Sequence, residues 1–257
     1  ILVERAESVA RIEHGELNGE LEKPDLPGLD LERARRALAE SAAEPGEWLE
    51  TEIARELLAA CGIPLPPSRL ARSPEEASEA AAEIGFPVVL KVVSRHIAHK
   101  SDVGGVLLNL NDREAVERGY RQIVEKALQA NHQAEITGVE VQKMVPPGQE
   151  VIIGAIQDLQ FGPLVMFGSG GVEVEGLKDV AFELAPLPRS AAERMLETTW
   201  AGRKLAGFRH LPPADREAVL DALLRLAQLA AEFPEIQEVE INPLQVMPAG
   251  QGAFALD

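Results

Sequence analysis

Pro87-Val-Val-Leu-Lys-Val-Val93 and the loop after it, Arg95-His-Ile-Ala-His-Lys-Ser-Asp-Val-Gly-Gly-Val106, decide the interpretation of this chain. The first stretch is a short apolar run that predicts a β-strand, and a second strand is predicted after the loop. Alternation along the first strand places Lys91 on one face with Val89 and Val93. Burying an unpaired ammonium group costs several kcal/mol. Lys91 therefore either reaches water from an edge strand or faces an anion.

The loop between the two strands has the composition of a loop that cradles phosphate. Lys100, Ser101 and the pair Gly104 and Gly105 lie in it, and the glycines let the backbone approach a phosphate closely. A Walker loop is excluded because His99 replaces the glycine that this motif requires before its lysine. The two loop histidines are weak candidates for metal ligands because no cysteine supports them. An ordinary hairpin loop remains an open alternative.

The end of the chain places two hard oxygen ligands after neighbouring predicted strands. Asn242 follows the strand predicted over 238–241, and Asp257 follows the strand predicted over 253–256. Their separation suits one hairpin. An amide, a carboxylate and phosphate oxygens are a usual ligand set for Mg²⁺ beside a nucleotide. The alternative is an ordinary Asn-Pro turn and a chain terminus.

A second glycine-rich stretch, Gly168-Ser-Gly-Gly-Val-Glu-Val-Glu175, follows a predicted strand. It lacks the spacing of the dinucleotide-binding fingerprint, because Glu173 stands where the third glycine would fall. We therefore predict a tight turn at this position.

Helices and strands alternate along the rest of the chain, although some strands adjoin directly, so the fold class is α/β or α+β. Helices are predicted over 1–13, 31–43, 52–60, 74–85, 112–128 and 220–231. Further strands are predicted over 106–110, 139–145, 151–156 and 163–167. Residues 21–28 are predicted to be a linker because of their proline and glycine content.

The composition restricts the class of protein. Acidic residues outnumber basic residues by 42 to 25, and the net charge of −17 argues against partnership with nucleic acid or an anionic membrane. Cys61 is the single cysteine, which excludes an internal disulfide and fits a reducing compartment. No apolar run approaches the roughly 18 residues of a membrane span, and no signal peptide is evident. We therefore expect a cytoplasmic protein.

Taken in order, five motifs resemble the ATP-grasp domain of the NDP-forming acyl-CoA synthetases. That group includes ADP-forming acetyl-CoA synthetase and, more distantly, the beta subunit of succinyl-CoA synthetase. The resemblance covers residues 48–257. The motifs are Val88-Val-Leu-Lys91, His99-Lys-Ser-Asp-Val-Gly-Gly-Val106, Pro147-Gly-Gln-Glu150, Gly170-Gly-Val-Glu173 and Glu240-Ile-Asn-Pro-Leu244.

The resemblance implies an ATP-grasp fold, in which two α+β subdomains clasp a nucleotide. The ATP-grasp domain would occupy residues 48–257, with a lid at about residues 67–141 and a C-terminal subdomain at about 142–257. Residues 1–47 would be a helical connector from an upstream domain.

The resemblance also implies a role for each residue that binds the nucleotide. Lys91 is similar to the strand lysine that contacts nucleotide phosphate. Gln142 is similar to the hinge residue beside adenine, with Val145 lining it. Glu150 is similar to the glutamate that binds the ribose side of the nucleotide. Lys100 and Arg95 would join Lys91 in a local basic cluster.

The metal ligands and the catalytic residue are implied in the same way. Asn242 and Asp257 are similar to the two Mg²⁺ ligands of the family. His99 resembles the histidine that receives a phosphoryl group from a phosphohistidine on a partner domain. A neutral imidazole near pH 7 is nucleophilic enough to carry phosphate covalently.

The implied reaction converts acyl-CoA, phosphate and ADP into carboxylic acid, CoA and ATP, with ATP or ADP and Mg²⁺ as cofactors. The CoA-binding and CoA-ligase domains would lie in the same parent chain or in a partner subunit. We therefore expect that this chain cannot complete the reaction alone. The chain starts at Ile1 and stops at Asp257, which fits either trimming or a domain taken from a longer chain.

Three other functions are compatible with parts of the pattern. A degenerate, regulatory synthetase-like domain of a protein lysine acetyltransferase would share the fold, although the intact Gly104, Gly105 and Asn242 favour an active site. A carboxylate–amine ligase would need no phosphohistidine, and the His99 motif argues against it. If the chain were an interaction module that binds no nucleotide, the occurrence of the five motifs would be a coincidence.

Overall fold

The computed structural model describes residues 24–44, 46–97, 100–171, 179–209 and 211–257. Within these ranges the helices are α1 (Leu31–Glu40), α2 (Thr51–Ala60), α3 (Pro74–Ile84), α4 (Arg113–Ala130), α5 (Arg189–Thr198), α6 (Trp200–Leu205) and α7 (Arg216–Glu232). The strands are β1 (Ser68–Ala71), β2 (Val88–Val93), β3 (Val106–Leu110), β4 (Gly138–Lys143), β5 (Gln149–Asp158), β6 (Gly162–Ser169), β7 (Val180–Leu184), β8 (Glu238–Val246) and β9 (Ala253–Ala255). The helix predicted over 1–13 lies outside the described residues.

The first compact unit comprises residues 41–54 and 66–146. Its antiparallel sheet has the strand order β1-β4-β2-β3, so that β4 and β2 are the central strands. Helices α3 and α4 pack on one face of this sheet. The central-strand residues of that apolar core are Val88, Leu90, Val92, Val139 and Val141. Because side chains alternate along a strand, Lys91, Glu140 and Gln142 lie on the opposite face.

The two helices that cover this sheet begin at side-chain caps. The Ser73 hydroxyl oxygen accepts a hydrogen bond from the Glu76 N–H at 3.1 Å, and Pro74 occupies the first helical position. Asp112 Oδ1 accepts from the Ala115 N–H at 2.7 Å. Each cap satisfies a backbone donor that has no partner inside the helix, and so fixes where the helix starts.

The second compact unit comprises the described residues up to Glu40 together with residues 55–65 and 147–257. Its antiparallel sheet has the strand order β7-β6-β5-β8-β9. Helix α7 packs on β5, β6 and β8, and Gln157 of β5 donates to the Ala230 carbonyl oxygen of this helix at 2.8 Å. The sheet residues buried on that face include Val151, Ile153, Val165, Phe167, Ile241 and Leu244.

A buried arginine joins three segments of this second unit. Arg225 of α7 is 6% exposed and donates to the Asp221 carboxylate at 2.6 Å. It also donates to the carbonyl oxygens of Cys61 and Pro27, at 2.8 and 3.0 Å. Since Cys61 follows α2 and Pro27 precedes α1, one side chain ties the segments that flank these two helices to α7.

Strand β8 is longer than the sequence predicts and continues through a proline. It runs over Glu238–Val246, whereas the predicted strand ends at Ile241. The register with β5 shifts at Asn242 and Pro243, where two residues of β8 face one residue of β5. This is a β-bulge, and it accommodates Pro243 at a position where the ladder needs no N–H group.

Four elements, β1, β7, α5 and α6, are not predicted by the sequence pattern. Strand β1 has four residues and lies at the edge of its sheet, and so short a run shows little alternation. Helices α5 and α6 have 10 and six residues and are separated by Thr199 alone. No helix within the described ranges combines the length and the hydropathy that crossing a membrane requires.

Candidate nucleotide-binding site

Lys91 lies in the middle of a central strand rather than at an edge. Strand β2 has β4 on one side and β3 on the other, and the register partner of Lys91 on β4 is Glu140. Both residues are 5% exposed. Directly opposite residues of antiparallel strands project from the same face with Cβ atoms about 5 Å apart. The edge-strand alternative for Lys91 is therefore wrong, because β2 has a neighbouring strand on each side. An acidic residue, Glu140, lies across from Lys91 within the same sheet.

Gln142 shares this face of the sheet, two residues farther along β4, and it is 2% exposed. Val145 follows the end of the same strand and is half-buried. Between them, Lys143 Nζ donates to two successive carbonyl oxygens of the turn before β2, at 2.8 and 2.9 Å. These bonds hold the end of β4 in place, and with it the segment in which the adenine-binding residues are predicted.

The loop predicted to cradle phosphate is closed by its own hydrogen bonds. The Gly105 N–H donates to the Lys100 carbonyl oxygen at 2.7 Å, and the Gly104 N–H donates to the Ser101 carbonyl oxygen at 3.0 Å. Gly104 has a φ of 65°, and a Cβ on Gly105 would lie 2.6 Å from the Val92 side chain. The backbone conformation of Gly104 and the packing around Gly105 therefore favour glycine at both positions, and neither effect depends on a bound ligand. The Lys100 side chain is half-buried and Ser101 is exposed.

Arg95, which is predicted to join Lys91 and Lys100 in a basic cluster, is paired with an acidic side chain. Its guanidinium group lies 2.9 Å from Glu50 Oε1. The other oxygen of that carboxylate accepts a hydrogen bond from the Ser41 hydroxyl at 2.8 Å. Hydrogen bonds from backbone N–H groups and from the hydroxyl, and the charge of Arg95, hold the pKa of Glu50 below its ordinary value. The charge of Arg95 is thus compensated within its own unit.

The structure describes one of the two histidines of this loop. His96 is exposed, and its Nδ1 accepts a hydrogen bond from the Glu135 N–H at 3.2 Å. His99 lies outside the described residues, and its catalytic role stays a prediction. Among the residues that the structure describes, no group of three or more His, Cys, Asp and Glu side chains is arranged to hold a metal ion.

Asn242 and Asp257 meet beside the bulge in the middle of β8. The Asn242 N–H donates to the carbonyl oxygen of Asp257, which lies two residues beyond β9, at 3.1 Å, and β8 and β9 are antiparallel neighbours. The predicted hairpin is therefore confirmed. The Asn242 side-chain oxygen accepts a hydrogen bond from the Gly171 N–H at 3.0 Å. This bond assigns Oδ1 rather than the amide nitrogen to the side of Gly171.

Glu150 is the second residue of β5, the strand that pairs with β8 on the side away from β9. It is exposed and is the register partner of Gln245 on β8. Its carboxylate lies so close to Gly171 that a Cβ on that glycine would overlap Glu150 Oε2. Gly171 thus contacts both Glu150 and Asn242. The tertiary structure brings together Glu150, Asn242 and Asp257, which are far apart in the sequence.

The glycine-rich stretch after β6 is described at its two ends, since residues 172–178 lie outside the described ranges. At its start, Gly170 packs on the backbone of Val151 so closely that a side chain would overlap it. At its end, the Asp179 carboxylate accepts from the Ser169 hydroxyl at 3.1 Å. The same carboxylate accepts from the first two N–H groups of α6, at 2.6 and 2.7 Å. Asp179 is therefore bonded both to Ser169, before the glycine-rich stretch, and to the start of α6.

Sequence analysis missed two residues that this arrangement identifies. The alternation in Val139-Glu-Val-Gln142 places Glu140 on the same face as Gln142, so a signal for Glu140 was present. Gly171 lies inside a motif that was noted, but its bond to Asn242 spans 71 residues of sequence. No local pattern indicates such a contact.

Two antiparallel sheets, each covered by helices, are the architecture of a nucleotide-binding domain of the ATP-grasp class. The chain belongs to the ATP-grasp family, because the family model for an ATP-grasp domain matches residues 40–257. The predicted fold is thereby confirmed.

Relatives and solved structures agree with this assignment. The chain is 43% identical over 212 residues to acetate–CoA ligase (ADP-forming) I subunit beta of Pyrococcus furiosus, and the match covers 82% of this chain and 91% of the relative. It is 41% identical over 225 residues to 4-hydroxybutyrate–CoA ligase (ADP-forming) of Nitrosopumilus maritimus, covering 88% of this chain and 32% of that protein. A solved structure of dinucleotide-forming acetyl-coenzyme A synthetase 1 of Ca. Korarchaeum cryptofilum, in complex with coenzyme A and Mg-AMPPCP, matches with a TM-score of 0.73 and 43% identity. That match covers 87% of this chain and 97% of the solved chain.

The predicted relationship to the acyl-CoA synthetases is confirmed by these matches. The chain spans 91% of a beta subunit but 32% of the 4-hydroxybutyrate–CoA ligase. Both relatives are CoA ligases by name, and they give no support to the regulatory alternative associated with an acetyltransferase.

Proposed function

We propose that this chain is the nucleotide-binding and phosphoryl-transfer domain of an ADP-forming acyl-CoA synthetase. Its cofactors are ATP or ADP and Mg²⁺. The complete reaction converts acyl-CoA, phosphate and ADP into carboxylic acid, CoA and ATP. The CoA-binding and CoA-ligase domains that this reaction needs belong to the same parent chain or to a partner subunit. The names of the relatives support this function, and so does the correspondence between this chain and a separate beta subunit.

The observation that supports the proposal most strongly is the pairing of Asn242 with Asp257. Mg²⁺ prefers hard oxygen ligands and is usually held by one or two carboxylates together with phosphate oxygens. The amide oxygen of Asn242 and the carboxylate of Asp257 are a donor set of this kind, and the backbones of the two residues are joined by a hydrogen bond. The Gly171 N–H uses one of the two lone pairs of Asn242 Oδ1, so one lone pair remains for a cation. When bound, Mg²⁺ supplies charge neutralisation to the nucleotide phosphates.

In this proposal Lys91 supplies the second positive charge for the phosphates. Phosphoryl transfer depends mainly on positioning and charge neutralisation, which favours a cation held on a rigid element. Lys91 meets that condition because it lies on a central strand, opposite Glu140. Lys100, Ser101, Gly104 and Gly105 form the adjoining loop that contacts the phosphates.

The base and the sugar are bound by groups from the two neighbouring segments of the chain. Gln142 binds beside adenine, and Val145 provides an apolar contact for the base. Glu150 accepts hydrogen bonds from the ribose hydroxyl groups, for which an exposed carboxylate is suited.

His99 carries the phosphoryl group in the proposed reaction. Its imidazole nitrogen forms a bond to the γ-phosphorus of ATP while the bond from that phosphorus to the β,γ-bridging oxygen breaks, leaving ADP and a phosphohistidine. The reverse step regenerates ATP. A phosphohistidine of a partner domain exchanges its phosphoryl group with His99, which links the nucleotide to the CoA reaction. The solved relative is described with a phosphohistidine segment that points towards its nucleotide-binding site, which supports this route.

The test is calorimetric titration of MgADP and MgGDP into the purified chain and into an Asn242→Ala variant. We expect saturable, magnesium-dependent binding that the substitution abolishes, and the preferred nucleotide identifies the base. The matched control is Asn131→Ala. Asn131 Oδ1 accepts a hydrogen bond from the Gln133 N–H at 3.0 Å, so this variant loses a similar bond at the end of α4.

Equal binding to the wild type and to Asn242→Ala would contradict the assignment of the metal ligand. Absence of binding to the wild type would contradict the proposed function of the chain in isolation. Loss of binding in both asparagine variants would mean that the substitutions disturb folding rather than a metal ligand. Thermal unfolding of each variant tests whether it is folded.

A further inference from the structure

We infer that Gly171 is a positioning residue that sets the geometry of the metal ligand Asn242 and of the ribose-binding Glu150 at the same time. This inference rests on the proposed function, and it adds a residue to which no role in binding has been assigned above. Gly171 contacts both side chains within the second compact unit. Its effect is transmitted through the other two groups, since Gly171 itself has no side chain with which to bind a nucleotide.

The first contact orients the amide of Asn242. The Gly171 N–H donates to Asn242 Oδ1 at 3.0 Å, and the Asn242 N–H is itself bonded to Asp257. Without this bond, the amide of Asn242 could also lie with its NH₂ group on the side of Gly171. The Gly171 N–H can donate only to the oxygen, so it fixes the orientation of the amide before a metal binds.

The second contact depends on the missing side chain of Gly171. A Cβ at this position would overlap Glu150 Oε2, which is the far end of a flexible side chain. An alanine is therefore accommodated by moving the Glu150 carboxylate, without opening the fold. Gly171 also has a φ of 64°, in the left-handed region that favours glycine. We therefore expect Gly171→Ala to displace the Glu150 carboxylate selectively and to add strain to the backbone at residue 171.

The chain offers a matched control for that strain. Gly162, the first residue of β6, has a φ of 75° and no heavy atom within 4 Å of the place where a Cβ would stand. Gly162→Ala therefore imposes a left-handed alanine in the same unit but displaces no side chain. A difference in nucleotide binding between the two variants cannot come from backbone strain alone.

The experiment measures MgADP affinity by calorimetry for the wild type, Gly171→Ala, Gly162→Ala, Glu150→Ala and the double variant Gly171→Ala/Glu150→Ala. We expect Gly171→Ala to weaken binding by about tenfold, the size expected when one hydrogen-bonding group is displaced. We expect Gly162→Ala to bind like the wild type. Most of the loss should disappear when Gly171→Ala is introduced into the Glu150→Ala background, because the displaced carboxylate is then absent.

A second measurement does not depend on nucleotide. Hydrogen exchange of the Gly171 amide should be slow in the wild type and should accelerate in Asn242→Ala, while amides in β2 stay unchanged. This readout tests the contact even when a Gly171 variant is too unstable for calorimetry.

The possible outcomes separate the two proposals. Binding by the wild type with unchanged affinity in Gly171→Ala overturns the role of Gly171 and leaves the proposed function standing. An equal loss with and without the Glu150 side chain also overturns it, and so does exchange of the Gly171 amide that Asn242→Ala does not alter. Absence of MgADP binding by the wild type overturns the proposed function and this inference together.

Discussion

Lys91 and Glu140 lie directly opposite each other on the two central strands of the four-stranded sheet, and each is 5% exposed. Helices α3 and α4 cover one face of this sheet, and both residues project from the other face. Gln142 projects from the same face as Lys91 and Glu140. Burying an ammonium group inside a sheet without a compensating charge is costly. The carboxylate of Glu140, directly opposite on the neighbouring strand, is placed to compensate the charge of Lys91.

Our first prediction concerns the stability of this pair. Lys91→Met leaves Glu140 buried without the opposite charge, and we expect the free energy of unfolding to fall by about 3 kcal/mol. The double variant Lys91→Met/Glu140→Leu should recover much of that loss, because both charges are removed together. Neither variant should bind MgADP as tightly as the wild type. Urea unfolding and calorimetric titration measure the two effects separately.

An exposed ion pair provides the control for this prediction. Arg118 lies 3.3 Å from Glu114, one turn away on α4, and both side chains are largely exposed. Glu114→Gln should change the free energy of unfolding by less than about 0.5 kcal/mol. If Lys91→Met were as harmless as this control, the carboxylate and the ammonium group would not interact in the folded protein.

Our second prediction concerns the two loop histidines. His99→Ala should abolish acid-labile, base-stable labelling of the chain from ATP labelled in its γ-phosphate, because the phosphohistidine can no longer form. Affinity for MgADP should change little. His96→Ala is the control, since His96 is exposed and uses its Nδ1 in a hydrogen bond with the Glu135 N–H. Labelling that persists in His99→Ala would assign the phosphoryl group to another residue, and loss of MgADP binding would make the histidine structural.

Our third prediction concerns the pH dependence of stability. Burial raises the pKa of the Cys61 thiol from an ordinary value of 9.0 to about 11, and the neighbouring Arg225 opposes this shift. Above pH 9 the thiol of the unfolded chain loses its proton first, so the unfolded state binds fewer protons than the folded state. The contribution of Cys61 is therefore present below pH 9 and is lost as the pH rises towards 11, by up to about 1.4 kcal/mol per pH unit.

The measurement is urea unfolding at a series of pH values for the wild type and for Cys61→Ala. The slope between pH 9 and pH 11 should be shallower in the variant, whatever the absolute cost of the substitution. Identical slopes would mean that the folded thiol titrates like an exposed one. Thiol-specific reagents at pH 8 should also label the folded wild type slowly, because Cys61 is fully buried.

The local parts of the fold were predictable from the sequence. The apolar run at Val88–Val93 and the caps at Ser73 and Asp112 depend on residues within a few positions of one another, and the structure has the strand and both helix starts. The five motifs also indicate the family without reference to the fold. The end of β8 was predicted wrongly, because the sequence does not show that a bulge at Asn242 and Pro243 removes the need for an N–H group at the proline.

The sequence by itself determined the periodicity, the helix starts, the face on which Lys91 lies and the family of the chain. Only the tertiary structure decided that Glu140 lies opposite Lys91, that Arg95 pairs with Glu50, and that Gly171 bonds to Asn242. The physical reason is the range of the interactions. Backbone geometry and alternation act over a few residues, whereas strand register and loop closure select partners that the local sequence does not specify.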